Sequence, residues 1–174
     1  DKIYGVINIS VANIRANPGH SAELVTQSLL GTIVNVYKKE NGWFLVQTPD
    51  NYIGWLDEDG LVWTNGITKN EWKKNEKIIF TSVYGFSFND KNKFSQTVSD
   101  LVAGNLLQLI SDEENFYKVK YPDGRIGYIS KDDGKLFFNW INNLNPTPEN
   151  IISTAKKFLG IPYLWGGTST KPLD

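Results

Sequence analysis

With 174 residues, 40% of them apolar, the chain has room for one ordinary domain or two to three small ones, each with a packed core. Lys and Arg number 18 against 19 Asp and Glu, a formal net charge of −1. That balance argues against a nucleic-acid partner, because phosphate neutralisation needs a concentrated basic surface. No apolar run approaches the ~20 residues of a membrane span. Cys is absent and His occurs once, so disulfides, Cys-ligated metal and a His-rich metal site are all excluded. Asp1 opens the chain and no Met occurs, which reads as a processed protein or an expressed piece of one, any targeting segment being already gone. Aromatics reach 13%, six of them Trp. Short apolar runs punctuated by Gly, Asn, Asp and Pro predict an all-β architecture for most of the length.

Taken in order, the elements repeat. Sliding the chain by 73 residues aligns residues 25–56 with 98–129 without a gap. Val25, Gly31, Glu40, Val46, Pro49, Asp50, Ile53 and Gly54 meet identical residues, and Trp43-Phe44 faces Phe116-Tyr117 as Trp55 faces Tyr128. Upstream, VANIRA (11–16) lines up with YGFSFN (84–89). Each copy is expected to hold about five short strands. TIVNVY and NLLQLI alternate or run apolar as buried strands do. KENG and DEEN are turns, and TPDN and YPDG are Pro-Asp turns of hairpin type. The Gly of IGWL and IGYI allows another backbone or an aromatic to approach closely. LVWTNGITKNEWKKNEKII (61–79) joins the copies as a polar, Lys-rich surface connector, with Trp63 and Trp72 expected to tuck against a barrel.

NIR (13–15), GTIVNV (31–36), NGWFLV (41–46) and IGWL (53–56) stand in the order of the bacterial SH3-like domain, which the first copy resembles closely. The second copy lacks the N-x-R and both Trp residues, and reads as a structural spacer. Arg15 is expected to hold a loop by hydrogen bonds.

Past residue 138 the composition changes. NNLNPTP (142–148) is a linker, and PENIISTAKKFLG (148–160) reads as a helix. Thr147 is its N-cap, Pro148 takes the first helical position and Glu149 suits the positive end of the dipole. Ile151, Ala155, Phe158 and Leu159 share one apolar face, and Gly160 supplies the stop. AKKFLGIPYLWGGTSTKPLD (155–174) resembles the start of the NlpC-type papain-like cysteine peptidases of bacterial cell-wall metabolism. In that family the next residues are C-S-G, so the resemblance implies a nucleophilic Cys immediately after Asp174. Truncation, or a modified Cys at that point, would account for the stop.

The fold class expected is therefore mostly β: two SH3-like barrels in tandem, then the first helix and loop of an α+β papain-like domain. The boundaries expected are 1–62 and 78–138 for the barrels, 63–77 and 139–147 for linkers, and 148–174 for the incomplete peptidase domain.

The resemblance implies roles for four residues. Tyr163 would stand on the oxyanion side of the site, where a phenol donor stabilises developing charge. Trp165 and Gly166-Gly167 are scaffold. Asp174 would accept a substrate amine, although an Asp there also suits a helix N-cap. Peptidases of this family with two N-terminal SH3-like domains cap the substrate pocket with an acidic residue and a Tyr of the first barrel, and Glu23 and Tyr52 match by motif. His20, the one His, reads as a loop residue; the family's base lies downstream.

The activity implied is hydrolysis of the γ-D-Glu–diamino acid bond of murein stem peptides bearing a free N-terminal L-Ala, releasing L-Ala-γ-D-Glu. The diamino acid is left open between diaminopimelate and Lys. The mechanism implied is acyl transfer through a Cys thiolate, with no cofactor. The alternative is a wall-binding module that anchors a hydrolase; a Pro-rich-ligand adaptor is disfavoured because the first copy lacks an acidic specificity loop. A murein peptide is the expected partner of a monomeric chain. The location implied is the cell envelope, periplasmic or secreted, with cytoplasmic recycling as the other option.

Overall fold

The computed structural model describes residues 3–174. Seven strands make the first sheet: β1 (Ile3–Ile7), β2 (Val11–Arg15), β3 (Leu24–Leu29), β4 (Ile33–Glu40), β5 (Trp43–Gln47), β6 (Ile53–Asp57) and β7 (Leu61–Thr64). They run in the order β3-β2-β6-β5-β4-β1-β7, all antiparallel. The second sheet holds β8 (Lys77–Phe80), β9 (Tyr84–Phe88), β10 (Thr97–Val102), β11 (Leu106–Asp112), β12 (Phe116–Lys120), β13 (Ile126–Ser130) and β14 (Gly134–Leu136). Its order, β10-β9-β13-β12-β11-β8-β14, repeats the first strand for strand. Trp43 pairs with Asp57 as Phe116 pairs with Ser130, and Trp55 with Leu45 as Tyr128 with Lys118. The period of 73 is thus a true structural register.

Local chemistry explains the turns. Asn41 and Gly42 both carry positive φ, 48° and 81°, as a two-residue hairpin turn requires. Asn51 at φ 73° and Gly124 at φ 94° close the two Pro-Asp turns. A Cβ on Gly54 would stand 2.7 Å from Ile14 Cγ2 and 2.8 Å from the Arg15 carbonyl, so the close approach expected at this Gly is real.

The first core is built from inward positions of its strands, Ile7, Ile14, Val34, Val46 and Leu56 among them. The second gathers Ile78, Phe80, Leu101, Leu107, Val119 and Ile129, and one residue from the first barrel, Leu30. Leu30 lies in the β3–β4 turn and its carbonyl accepts the Leu106 N–H at 3.0 Å. The barrels therefore share packed interior, and do not merely touch.

Several expectations need correction. Each barrel has seven strands where about five were expected, because β1 and β7 (and likewise β8 and β14) pair with each other from the two ends of a copy. Barrel one accordingly runs to Thr64 and barrel two begins at Lys77. The connector is not merely a surface coil: it holds α1 (Gly66–Lys74), whose Asn65 side chain accepts the Thr68 N–H at 3.0 Å. Trp72 does tuck in, its indole donating to the Gly31 carbonyl at 3.1 Å, whereas Trp63 is 67% exposed on the outer strand β7. The second linker starts as a short helix, α2 (Phe137–Asn142).

The third helix, α3 (Pro148–Lys156), starts as its sequence dictates, with Thr147 Oγ1 accepting the Asn150 N–H at 3.3 Å. Beyond Lys156 the chain tightens into i→i−3 bonds at Lys157 and Phe158, and Gly160 at φ 88° ends it. Ile151, Ile152 and Leu159 on this helix and its tail are exposed. No described helix is long and apolar enough to cross a membrane.

Candidate functional site

Residues 161–174 form a compact loop closed by its own backbone. Leu164 N–H donates to Leu173 O at 2.9 Å, Leu173 N–H to Pro162 O at 3.1 Å, and Asp174 N–H to Gly167 O at 2.9 Å. The glycine pair makes this possible. Gly166 adopts φ 72°, and a Cβ on Gly167 would stand 2.9 Å from two carbonyls, those of Leu164 and Pro172. The close packing belongs to this Gly pair; Trp165, read as scaffold from the sequence, is exposed.

Two of the four candidate residues meet inside this loop. Asp174 Oδ2 accepts the Gly166 N–H at 2.8 Å. The Tyr163 hydroxyl is raised above its ordinary pKa, by desolvation first and then by its hydrogen bond to the Asp174 carboxylate. Tyr163 is otherwise open, 67% exposed.

The loop is seated on both barrels. Thr168 N–H donates to Gln27 Oε1 at 3.1 Å and its hydroxyl to the Gln27 carbonyl at 3.1 Å. Gln27 is itself held, donating from Nε2 to Asn13 Oδ1 at 2.9 Å. Gly166 lies flat on β3: a Cβ there would come within 3.1 Å of Val25 O and 3.2 Å of Leu24 O. Toward barrel two, the Thr170 hydroxyl donates to the Val83 carbonyl. Lys171 Nζ pairs with Asp100 at 2.5 Å and donates to Ser10 Oγ at 3.0 Å, while the Ser10 hydroxyl donates to Asp100 at 2.8 Å. Partial burial pushes the Asp100 carboxyl up, but the hydrogen bonds from Lys171 and Ser10 and the lysine charge outweigh it and hold the group below its usual range. This node ties barrel one, barrel two and the loop together. The sequence shows only a polar stretch at 168–171; nothing in it says that Thr168, Thr170 and Lys171 reach two barrels.

Glu23 is exposed, one residue before Leu24, whose carbonyl lies against Gly166. Its carbonyl closes the 16–23 loop by accepting the Ala16 N–H at 2.9 Å. Arg15 Nη1 donates to the Ala22 carbonyl at 2.6 Å, so Arg15 holds the loop as expected. His20 lies edge-on to Trp43 at 5.0 Å with its Nε2 3.4 Å from Asp57, a loop residue seated on the barrel. Tyr52 precedes β6, whose Trp55 pairs with Arg15, which puts Tyr52 at the same end of the sheet as the 16–23 loop. Its hydrogen bonds go to Thr48, and none of them reaches Glu23, Tyr163 or Asp174.

Two seven-stranded SH3-like barrels with a Gly-Gly loop docked across both define the class of architecture, and known proteins share it. Residues 14–61 match the family described as the bacterial dipeptidyl-peptidase SH3 domain. The chain is 32% identical over 159 residues to the gamma-D-glutamyl-L-lysine dipeptidyl-peptidase of Bacillus cereus (strain ATCC 10987 / NRS 248), covering 84% of this chain and 46% of that protein. It is 24% identical over 182 residues to dipeptidyl-peptidase 6 of Lysinibacillus sphaericus, covering 97% of this chain and 64% of the relative. The chain thus spans about half to two thirds of the length of these relatives. Among solved structures, an NlpC/P60 family protein of Bacillus cereus ATCC 10987 superposes with a TM-score of 0.81 at 24% identity, over 98% of this chain and 68% of that one. An NlpC/P60 endopeptidase from Photobacterium damselae subsp. piscicida shares the fold with a TM-score of 0.63 at 15% identity, over 94% of this chain and 38% of that one.

Proposed function

We infer that the protein containing this chain is a cysteine peptidase of peptidoglycan stem peptides, cutting the γ-D-Glu–diamino acid bond of peptides whose N-terminal L-Ala is free. The relatives' names and the PY-x-WGG motif support this reading. The observation that carries it is the convergence of Asp174, Tyr163 and the β3 edge beside Glu23, brought about by Gly166.

In this reading Asp174 and Glu23 flank the substrate amine from opposite domains. A protonated amine taken out of water needs charge partners, and two carboxylates provide them. Tyr163 lies beside Asp174, where its hydroxyl is a donor for charge developing on the scissile carbonyl. The nucleophile that the motif places after Asp174 would attack that carbonyl, form an acyl-enzyme and release the diamino-acid amine. Barrel one then acts as an end wall that admits a free amine and rejects an acylated or sugar-linked one. An envelope setting suits such a substrate.

The test compares Glu23→Gln with wild type in the full-length protein, on L-Ala-γ-D-Glu-Lys and on its N-acetylated form. Losing a hydrogen bond to a charged group costs about 1.5–3 kcal/mol, or roughly ten- to hundredfold in kcat/KM. That loss is expected on the free-amine peptide and not on the acetylated one. Equal losses on the two would remove Glu23 from the amine site.

A further inference from the structure

A cavity of about 490 Å³ lies away from the peptidase loop, where barrel one, α1 and the start of α2 meet. That volume is in the range of pockets that hold small molecules. Its charge is one-sided. Lys69, Lys73 and Lys77 line it, and among the described residues no carboxylate does. The Lys73 side chain has no ion pair or hydrogen bond among the described residues, and Lys69 has its ammonium over the Tyr4 ring, 3.4 Å from the centroid.

Lys77 is the unusual member. It is only 6% exposed, yet among the described residues it bonds carbonyls and no carboxylate. Its ammonium donates to the Trp72 carbonyl and, at 2.6 Å, to the Asn75 carbonyl, which satisfies two of its three N–H groups. Burial lowers its pKa to about 8. A buried cation held only by two carbonyls and a ring face 4.8 Å away, with two further lysines at the same wall, is an arrangement that an anion completes.

The rest of the wall fits a polyhydroxylated ring. Trp72, Phe137 and Phe138 supply flat apolar faces, Phe138 being half exposed. On the barrel side, Gln47 Oε1 accepts from Tyr37 at 2.5 Å and from Asn35 at 3.4 Å, which leaves the Gln47 amide N–H groups as free donors. We propose that this cavity is a binding site for an acidic saccharide, with the lysines on its carboxylate or phosphate and the aromatic and amide groups on its ring. The site stands independently of the peptidase reading, since none of its residues belongs to the loop at 161–174 or to β3.

The Lys77 ammonium lies against the Trp72 ring, 4.8 Å from its centroid, and the Trp72 and Asn75 carbonyls; the charged groups that share the cavity with it are Lys69 and Lys73 from α1, and its other lining side chains from barrel one and α2, Asn35, Gln47, Phe137 and Phe138 among them, are uncharged. Anion binding therefore favours protonated Lys77. Affinity should fall as pH rises from 7 to 9, through its own pKa, whereas ordinary surface lysines hold their charge to near 10.5.

Calorimetric titration of the chain with three matched sugars tests this. N-acetylmuramic acid carries a carboxylate, N-acetylglucosamine 6-phosphate a phosphate, and N-acetylglucosamine neither. Binding of either anion with at least tenfold preference over the neutral sugar supports the site, and the better anion names the source. Lys69→Ala/Lys73→Ala, two changes on an outer helix whose effect on folding a melting curve checks, should weaken the anion at least tenfold with Tm kept. The proposal is overturned if the neutral sugar binds as well, if no sugar binds at 10 mM, if the double variant binds unchanged, or if affinity is flat from pH 7 to 9.

Discussion

The two barrels have one topology and different interiors, and the differences come in matched pairs. Ile7 and Ala12 of barrel one correspond to Phe80 and Gly85 of barrel two. A Cβ on Gly85 would stand 2.8 Å from the Phe80 ring, so the larger side chain occupies the space that the smaller one released. Ile14 and Thr48 correspond to Ser87 and Tyr121. Ser87 is fully buried, and its hydroxyl meets the Tyr121 hydroxyl at 2.6 Å. Total volume is kept while its division among positions changes, as packed interiors tolerate best.

The outer loops diverge in a different way. Barrel one offers Glu23 at an open edge, and the period of 73 puts Gln96 there in barrel two; Tyr52 becomes Arg125. Arg125 is occupied, bonded to Asp123 at 2.6 Å and to the Asn8 carbonyl at 3.3 Å. The loop of barrel two is stapled by Lys91–Glu113 and Lys93–Asp132 pairs at 2.7 and 3.0 Å, with Phe94 97% exposed at its tip. Barrel one leaves Glu23 exposed at this edge, whereas barrel two ties the matching region down by ion pairs and by a bond to Asn8 of barrel one.

The largest effect expected is at Leu30, the side chain that crosses from one barrel to the other's core. Leu30→Ala should destabilise the chain by about 2–5 kcal/mol in denaturant unfolding. A loss under about 1 kcal/mol would mean that the barrels are packed independently. Next, Gln96→Glu places in barrel two the carboxylate of barrel one. If Glu23 acts by its position beside the loop, this change should leave kcat/KM on the free-amine peptide within about twofold, while Glu23→Gln lowers it roughly ten- to hundredfold. A gain or loss of that size at Gln96 would dissolve the functional contrast.

Tyr121→Phe strands the buried Ser87 hydroxyl and should cost about 1–3 kcal/mol. Adding Ser87→Ala should recover most of it, because both partners are then apolar; no recovery would show that Tyr121 acts through packing. The smallest effect lies at the node that joins the barrels to the loop. Asp100 has a folded pKa below its unfolded value, so its contribution is complete above pH ~4 and is lost as pH falls through the lower folded value. Lys171→Ala should remove about 1 kcal/mol or less near neutrality, since the lysine is partly solvated, and should flatten the acid limb of the stability curve. An unchanged acid limb would assign the pairing no energetic weight.

Much of this is legible in the amino-acid sequence. The period of 73, the Pro-Asp turns, the close approach at Gly54 and the Thr147 cap are local in the chain, and each has its own residue signature. What was hidden depends on distant pairing. β1 and β7 lie outside the aligned segment and find each other across more than fifty residues. α1 reads as a charged connector because of its lysines, and what anchors it, the Gly31 carbonyl that takes the Trp72 indole and the Lys77 ammonium on the Trp72 carbonyl, lies on other parts of the chain. The site was half visible. Tyr163 and Asp174 share a motif, but Gln27, Asp100 and Ser10 are ordinary polar residues until the fold gathers them.

Leu30 has a further bearing on how the chain could have been assembled. Its counterpart in barrel two is Ala103. A third copy added after the second would therefore meet a methyl group where the second copy received a leucine knob, and its core would be left with a hole. The array can neither be lengthened by reiteration nor reordered without opening a cavity. A duplication that began with interchangeable halves has become a pair with a fixed first and a fixed second member.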